Sequence, residues 1–248
     1  MLSYLEAMRI IAILLGLLSL AVPARADCVV LLHGLHRSEG SMAVLQKVLE
    51  RQGYRTVNPD YPSTEAPIET LVETHVTPAV AACGYDRVHF VTHSMGGILV
   101  RAWLAVYRPA DLGRVVMLAP PNRGSELIDF AEDYAFLSRL LGPAGMELGT
   151  GSASEPNSLG PAGFELGVIA GDVSFNPIYS WVIGGKDDGK VSVASTRIGG
   201  MTDHIVLPTS HTFIMNNPRV MAEVLEFLQN GRFDHMMTLS EALKRIWG

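Results

Sequence analysis

The chain has only two cysteines, Cys28 and Cys83, in 248 residues, and neither an H-E-x-x-H nor a C-x-x-C spacing. That scarcity excludes a tetrahedral zinc centre of thiolates and imidazoles. No metal and no cofactor are expected. A basic stripe is also missing: 19 Lys and Arg are scattered among 25 Asp and Glu, for a formal net charge of -6. A nucleic-acid partner, which needs a concentrated positive face, is excluded on that ground. Internal repeats and coiled-coil heptads are absent as well.

No apolar run is read as a permanent span. Ile10 to Val22 is about thirteen residues, short of the roughly twenty that cross a bilayer. Arg9 precedes it and Pro23-Ala24-Arg25-Ala26 follows, an A-x-A cleavage signal. Residues 1–26 therefore read as a secretory signal peptide cut after Ala26, a retained anchor being the alternative. Asp27 stands directly before Cys28, where lipid attachment would need a small residue. The expected location is the periplasm or the exterior. Residues 27–248 suit one compact domain with a sizeable apolar core and leave no room for a second catalytic domain.

Within that domain, Val88-His89-Phe90-Val91-Thr92-His93 reads as a strand, Ser94 follows it, and Met95-Gly96-Gly97-Ile98-Leu99-Val100 opens an apolar helix. A serine hydroxyl is a poor nucleophile by itself. It needs a tight turn where a histidine takes its proton and backbone N–H groups receive the oxyanion. The G-x-S-x-G elbow does this, although here Thr92 replaces the first glycine. The bland alternative is that Ser94 merely caps a helix. Upstream, the apolar run Cys28-Val29-Val30-Leu31-Leu32 reads as a buried parallel strand ending in His33-Gly34-Leu35. Gly34 lets the backbone turn, so that the N–H groups of Leu35 and Met95 form a two-donor oxyanion hole.

An acid and a histidine should follow in that order. Asp172, Asp187, Asp188 and Asp203 are the candidate acids. Asp188 is chosen because Gly189 permits a sharp turn and Val191-Ser192-Val193 anchors the loop, whereas Asp187 is expected to face solvent beside Lys186. His211 is the base. It follows Ile205-Val206-Leu207-Pro208-Thr209-Ser210, a strand and turn ahead of the final helix, while His204 lies at the wrong end of that strand. His75, His89 and His235 read as surface or satisfied core residues. His93 is assigned to packing or pocket lining.

These motifs, His33-Gly34-Leu35, Thr92-His93-Ser94-Met95-Gly96-Gly97, Asp188-Gly189-Lys190-Val191 and His211, resemble the α/β-hydrolase superfamily, in particular its bacterial lipase- and esterase-like members. The resemblance covers nearly all of the chain after the leader. It implies an α/β-hydrolase fold with a triad of Ser94, Asp188 and His211 and an oxyanion hole from Leu35 and Met95. The alternation of apolar strands and helices agrees with a mostly parallel central sheet flanked by helices. Because the first strand already carries the oxyanion turn, a minimal form lacking two leading strands is expected. In that fold the strands opened by Cys28 and preceded by Cys83 are neighbours, which makes a disulfide the expected state; two buried free thiols are the alternative.

The segment 126–161 breaks the alternation, and the resemblance implies a lid or acyl-pocket wall at that place. Phe130, Tyr134, Phe136, Leu137, Leu140 and Leu141 are candidates to face an apolar substrate, and an ordinary amphipathic helix is the alternative. Together with His33, Gly34 and His93, the residues Phe130, Tyr134 and Leu137 form the expected substrate pocket. The expected function is a secreted or periplasmic ester hydrolase working through an acyl-enzyme on a small-molecule or lipid ester, as a monomer with transient membrane-surface contact. An acyltransferase or an amide or thioester hydrolase would use the same triad. A non-catalytic binding protein on the same scaffold is the remaining alternative.

Overall fold

The computed structural model describes residues 26–248, so the expected leader, apart from Ala26, lies outside the described residues. Strand β1, Cys28–Leu32, is apolar throughout because both of its faces are buried. Val30 and Leu32 enter one hydrophobic cluster, Val29 and Leu31 the other. This is the two-residue alternation of a strand held between helical layers.

Five more strands extend the sheet: β2 (Arg55–Val57), β3 (Val88–His93), β4 (Leu112–Leu118), β5 (Leu166–Gly171) and β6 (Asp203–Leu207). Their spatial order is β2-β1-β3-β4-β5-β6, and every pairing is parallel. The chain winds outward from β1 to β2, then returns to β3 and proceeds the other way. Its direction reverses between β1 and β3, and a crevice at the carboxyl ends of such strands is where open parallel sheets bind ligands.

Helices α1 (Ala43–Arg51), α2 (residues 68–82) and α3 (Met95–Val106) alternate with the first strands. The middle of α2, Val72–Val76, is wound as a π turn. Pro78 has no N–H to donate and its ring crowds the carbonyl four residues back, which a widened turn accommodates. Three helices follow β4: α4 (Glu126–Glu132), α5 (Ala135–Met146) and α6 (Glu155–Ser158), with α5 broken at Gly142, whose φ is 69°. Pro177–Ile183 forms α7. Two helices, not one, follow His211: α8 (Pro218–Asn230) and α9 (Leu239–Trp247). The ends of α8 are legible locally, since Asn217 accepts the Arg219 N–H at 2.9 Å and left-handed Gly231 closes it. Residues of α2 and α3 cover one face of the sheet, and those of α1, α8 and α9 cover the other.

Cys28 and Cys83 are joined in a disulfide, with Cα atoms 5.8 Å apart, tying the start of β1 to the end of α2. The closed loop spans 55 residues, for which loss of unfolded-chain entropy corresponds to about 4 kcal/mol. A second buried feature acts in the opposite direction. Glu223 of α8 is fully buried; one carboxylate oxygen accepts the Asp234 N–H at 2.8 Å and the other has no hydrogen-bond partner among the described residues. Burial pushes its pKa up to about 7 from 4.5.

Both features are measurable. The Cys28→Ser/Cys83→Ser variant is expected to lose about 2–4 kcal/mol in denaturant unfolding, with the same loss on reduction of the wild type. For Glu223 the folded pKa lies above the unfolded one, so its effect is absent below about pH 4.5. Stability then falls as pH rises through about 7, by about 3 kcal/mol at most. Glu223→Gln should therefore be more stable than wild type at pH 8, with the gain shrinking toward pH 5. A gain of equal size at both pH values would contradict this account.

Candidate active site

Ser94 sits between β3 and α3 with φ 53° and ψ -124°, a backbone conformation that costs a non-glycine residue roughly 1–3 kcal/mol. Its neighbours hold it there. The Ser94 N–H donates to the Leu118 carbonyl at the end of β4 (2.9 Å), and the Ser94 carbonyl accepts the Gly97 N–H (2.9 Å). A Cβ on Gly96 would lie 2.5 Å from the Leu32 carbonyl oxygen, so only glycine lets α3 start this close to β1.

The position usually held by glycine carries Thr92, fully buried, with its hydroxyl unpartnered among the described residues. Gly97 lies beside it: a Cβ there would stand in ordinary contact with Thr92 Oγ1 at 3.4 Å, and closer to Pro120 Cβ (3.0 Å) and Met117 Sδ (3.2 Å).

The β1 turn lies directly against this elbow. A Cβ on Gly34 would meet Ser94 Cβ at 2.9 Å. Among the described residues, the Leu35 and Met95 N–H groups find no protein acceptor; Met95 is the first residue of α3, where N–H groups lack intrahelical partners. His33 points elsewhere. It is fully buried, stacked on Tyr61 with ring centroids 3.7 Å apart, and 3.4 Å from Asp60 through Nε2.

Asp188 and His211 meet from two loops. His211 Nδ1 lies 2.8 Å from Asp188 Oδ2, and the His211 N–H donates to the Asp188 carbonyl at 2.9 Å. Asp188 Oδ1 accepts the N–H groups of Lys190 (3.0 Å) and Val191 (2.8 Å). With these bonds the Asp188 carboxylate, 2% exposed, is satisfied without water. Asp187 does not face solvent as expected. It is buried, and its Oδ1 accepts from the Gly189 N–H (2.7 Å) and Ser180 Oγ (3.1 Å), because the loop folds back on itself at the Asp187–Ser192 bridge. Lys186 reaches Asp172 at 3.6 Å.

Sequence reasoning did not anticipate what His93 does. Its Nε2 donates to the His211 carbonyl at 3.1 Å, and the two rings are 4.7 Å apart. Burial, then the neighbouring His211 and Arg37, hold His93 well below the ordinary histidine range, so it stays neutral. Four other histidines are occupied: His204 pairs with Thr196 Oγ1, His89 with Asp27 and the Arg114 N–H, His235 with Asp203, and the His75 ring packs near Tyr61, while His36 is exposed at the cavity. Asp203 is thereby committed to His235 and to the N–H groups of His204 and Phe233. No cluster of three metal-ligating side chains occurs among the described residues.

Ser94, His211, His93 and Leu35 line a cavity of about 350 Å³. Its other wall is apolar and comes from α4 and α5, including Phe130, Leu137, Leu140 and Leu141. Tyr134 and Phe136 are exposed and lie outside the lining, as do His33 and Gly34. His36, Arg37, Ser125, Tyr179, Lys190 and Thr212, none of them anticipated as pocket residues, also line it. The local signal for two of them was position: Arg37 is two residues past Leu35, and Lys190 two past Asp188.

Replacing Thr92 with valine removes a buried unpaired hydroxyl while keeping its shape. The variant is expected to be more stable by about 1 kcal/mol in thermal or denaturant unfolding. A loss of stability would mean that Thr92 Oγ1 has a partner after all.

Two triacylglycerol lipases, from Pseudarthrobacter phenanthrenivorans and Burkholderia plantarii, are each 36% identical to this chain over 59 residues. That stretch is 24% of this chain and spans only 18% and 16% of theirs. Among solved structures, a mature lipase of Bacillus licheniformis superposes with TM-score 0.64 at 19% identity, covering 84% of this chain and 93% of that one. A phospholipase of Legionella pneumophila gives 0.68 at 18% identity, covering 89% and 61%. A model of the alpha/beta hydrolase family matches residues 29–224, from the first strand into α8. With the parallel sheet and the serine elbow, that match over most of the sequence means that the chain belongs to the alpha/beta hydrolase family.

Proposed function

We propose that this protein is an exported carboxylic ester hydrolase that works through an acyl-enzyme. The observation that carries the reading is the convergence of Ser94 and the Asp188-bonded His211 on one largely apolar cavity. With Nδ1–H donated to Asp188, the His211 Nε2 is left as the base. It takes the Ser94 hydroxyl proton as the oxygen attacks the ester carbonyl carbon. The resulting oxyanion receives the Leu35 and Met95 N–H groups. His211 then returns the proton to the departing alcohol, and water repeats the sequence to free the acid and Ser94. Throughout, Asp188 orients His211 and stabilises its charged form, while His93 acts as a positioning residue through the His211 carbonyl.

The relatives named lipase and the neighbours titled lipase and phospholipase support an acyl ester as substrate. The apolar wall from α4 and α5 suits its acyl chain. Phe136, Leu140, Phe175, Ile178 and Trp181 are solvent-exposed on α5, α7 and the turn before α7, apolar surface suited to transient contact with a lipid interface. The disulfide and the leader-like amino terminus support export to an oxidising compartment.

The test is hydrolysis of p-nitrophenyl esters from acetate to palmitate by the protein from Asp27 onward. Ser94→Ala and His211→Ala should each lose at least about 10³-fold in kcat, and Asp188→Asn about 10²–10⁴-fold. Retention of activity in Ser94→Ala would overturn the mechanism, and an inactive wild type that resists fluorophosphonate labelling would overturn the function.

A further inference from the structure

Two cationic side chains line the largely apolar cavity. Arg37 follows the turn that carries the Leu35 N–H, and Lys190 follows Asp188 in the acid loop. Neither lies within ion-pair distance of a carboxylate among the described residues. The carboxylate nearest in sequence to Lys190, Asp188, is engaged by His211 and two backbone N–H groups.

Lys190 is held in place without being neutralised. Its carbonyl accepts Ser125 Oγ at 2.9 Å, its N–H donates to Asp188, and its ammonium sits 4.7 Å over the Tyr179 ring. A cation–π contact positions the charge but leaves it available to an anion. Burial, then the proximity of Arg37, disfavour the charged form of Lys190, against the opposing pull of the Asp188 carboxylate. Two like charges lining one cavity with the reacting serine, offset only by an Asp188 already bonded to His211, favour the arrival of an anion.

Resting on the ester-hydrolase reading, we propose that Arg37 and Lys190 form an anion subsite selecting acyl esters whose alcohol portion carries a phosphate. Two positive charges match a phosphate monoester better than a single carboxylate, and the guanidinium fork suits two phosphate oxygens. The cavity then has two ends: α4 and α5 take the acyl chain, and the loops after β1 and around Asp188 take the charged alcohol.

The experiment compares 1-octanoylglycerol, its 3-phosphate, and its 3-hemisuccinate in wild type, Arg37→Gln, Lys190→Gln, Lys190→Arg and the Gln double variant. The readout is the ratio of kcat/KM between substrates. Wild type is expected to favour the phosphate over the neutral ester by roughly ten- to a hundredfold, less so at high salt. The double variant should bring that ratio to about one, and Lys190→Arg should keep most of it.

Equal rates on the phosphate and neutral esters in wild type, or a preference that survives in the double variant, would overturn the subsite while leaving the hydrolase reading intact. A hemisuccinate cleaved as well as the phosphate would overturn the assignment to phosphate. Failure to cleave all three, with no fluorophosphonate labelling of Ser94, would overturn the hydrolase reading and the subsite with it.

Discussion

The strained backbone of Ser94 is the constraint on which the rest of the site depends. A left-handed φ on a serine persists only where the surroundings leave no alternative. Here β4 supplies the acceptor for its N–H, β1 presses a glycine turn against its Cβ, and α3 begins so close to β1 that Gly96 can carry no side chain. Each of these depends on β1, β3 and β4 being adjacent and parallel, with their carboxyl ends at one edge. The sheet therefore does more than form a core: its register puts the serine, the Leu35 N–H and the Met95 N–H at one place.

The other half of the site is assembled by hydrogen bonds between loops. Asp188 holds His211 twice, by its carboxylate and by its carbonyl, and His93 holds the His211 carbonyl from the nucleophile side. A neutral, buried His93 adds a donor next to the base without adding a competing charge. Asp187, turned inward against Gly189 and Ser180, fixes the loop that presents Asp188. Ser125 extends this network to the apolar wall, since it bonds both the Lys190 carbonyl and, through its own N–H, the Leu148 carbonyl. The cavity wall and the acid loop are thus mechanically joined.

Arg101 shows how the fold returns from the wall to the sheet. Its guanidinium is buried and donates to the carbonyls of Asn122, Pro156 and Gly160 and to the Asn122 side chain. Burial lowers its pKa to about 10 against the opposing pull of the Glu155 carboxylate, still well above neutrality, so it remains a cation hydrogen-bonded by carbonyl dipoles. That cluster anchors α6 and the loop after β4 to α3.

Much of this was legible in the chain. A strand buried on both faces reads as an unbroken apolar run, so β1 was located by composition alone, whereas β3, with His89, Thr92 and His93, was located by the serine turn and apolar helix that follow it. The serine between a strand and a glycine pair, followed by an acid and then a histidine, gave the order of the candidate site because each lies at a strand's carboxyl end. Other features depend on side chains distant in sequence. The inward turn of Asp187, the hydrogen bond from His93 to His211, and the meeting of Arg37 and Lys190 at one cavity bring together residues of different loops, which leaves no local pattern. Among the aromatic and leucine residues of the wall, the lid position that the resemblance implies proposed six, yet Tyr134, in the turn between α4 and α5, and Phe136 are exposed outside the lining. By itself the sequence determined the strands, the elbow and the order of reacting groups, since these follow from burial and turn chemistry within a few residues. Only the tertiary structure decided which groups face one another, because contact between loops is set by where the sheet places their ends.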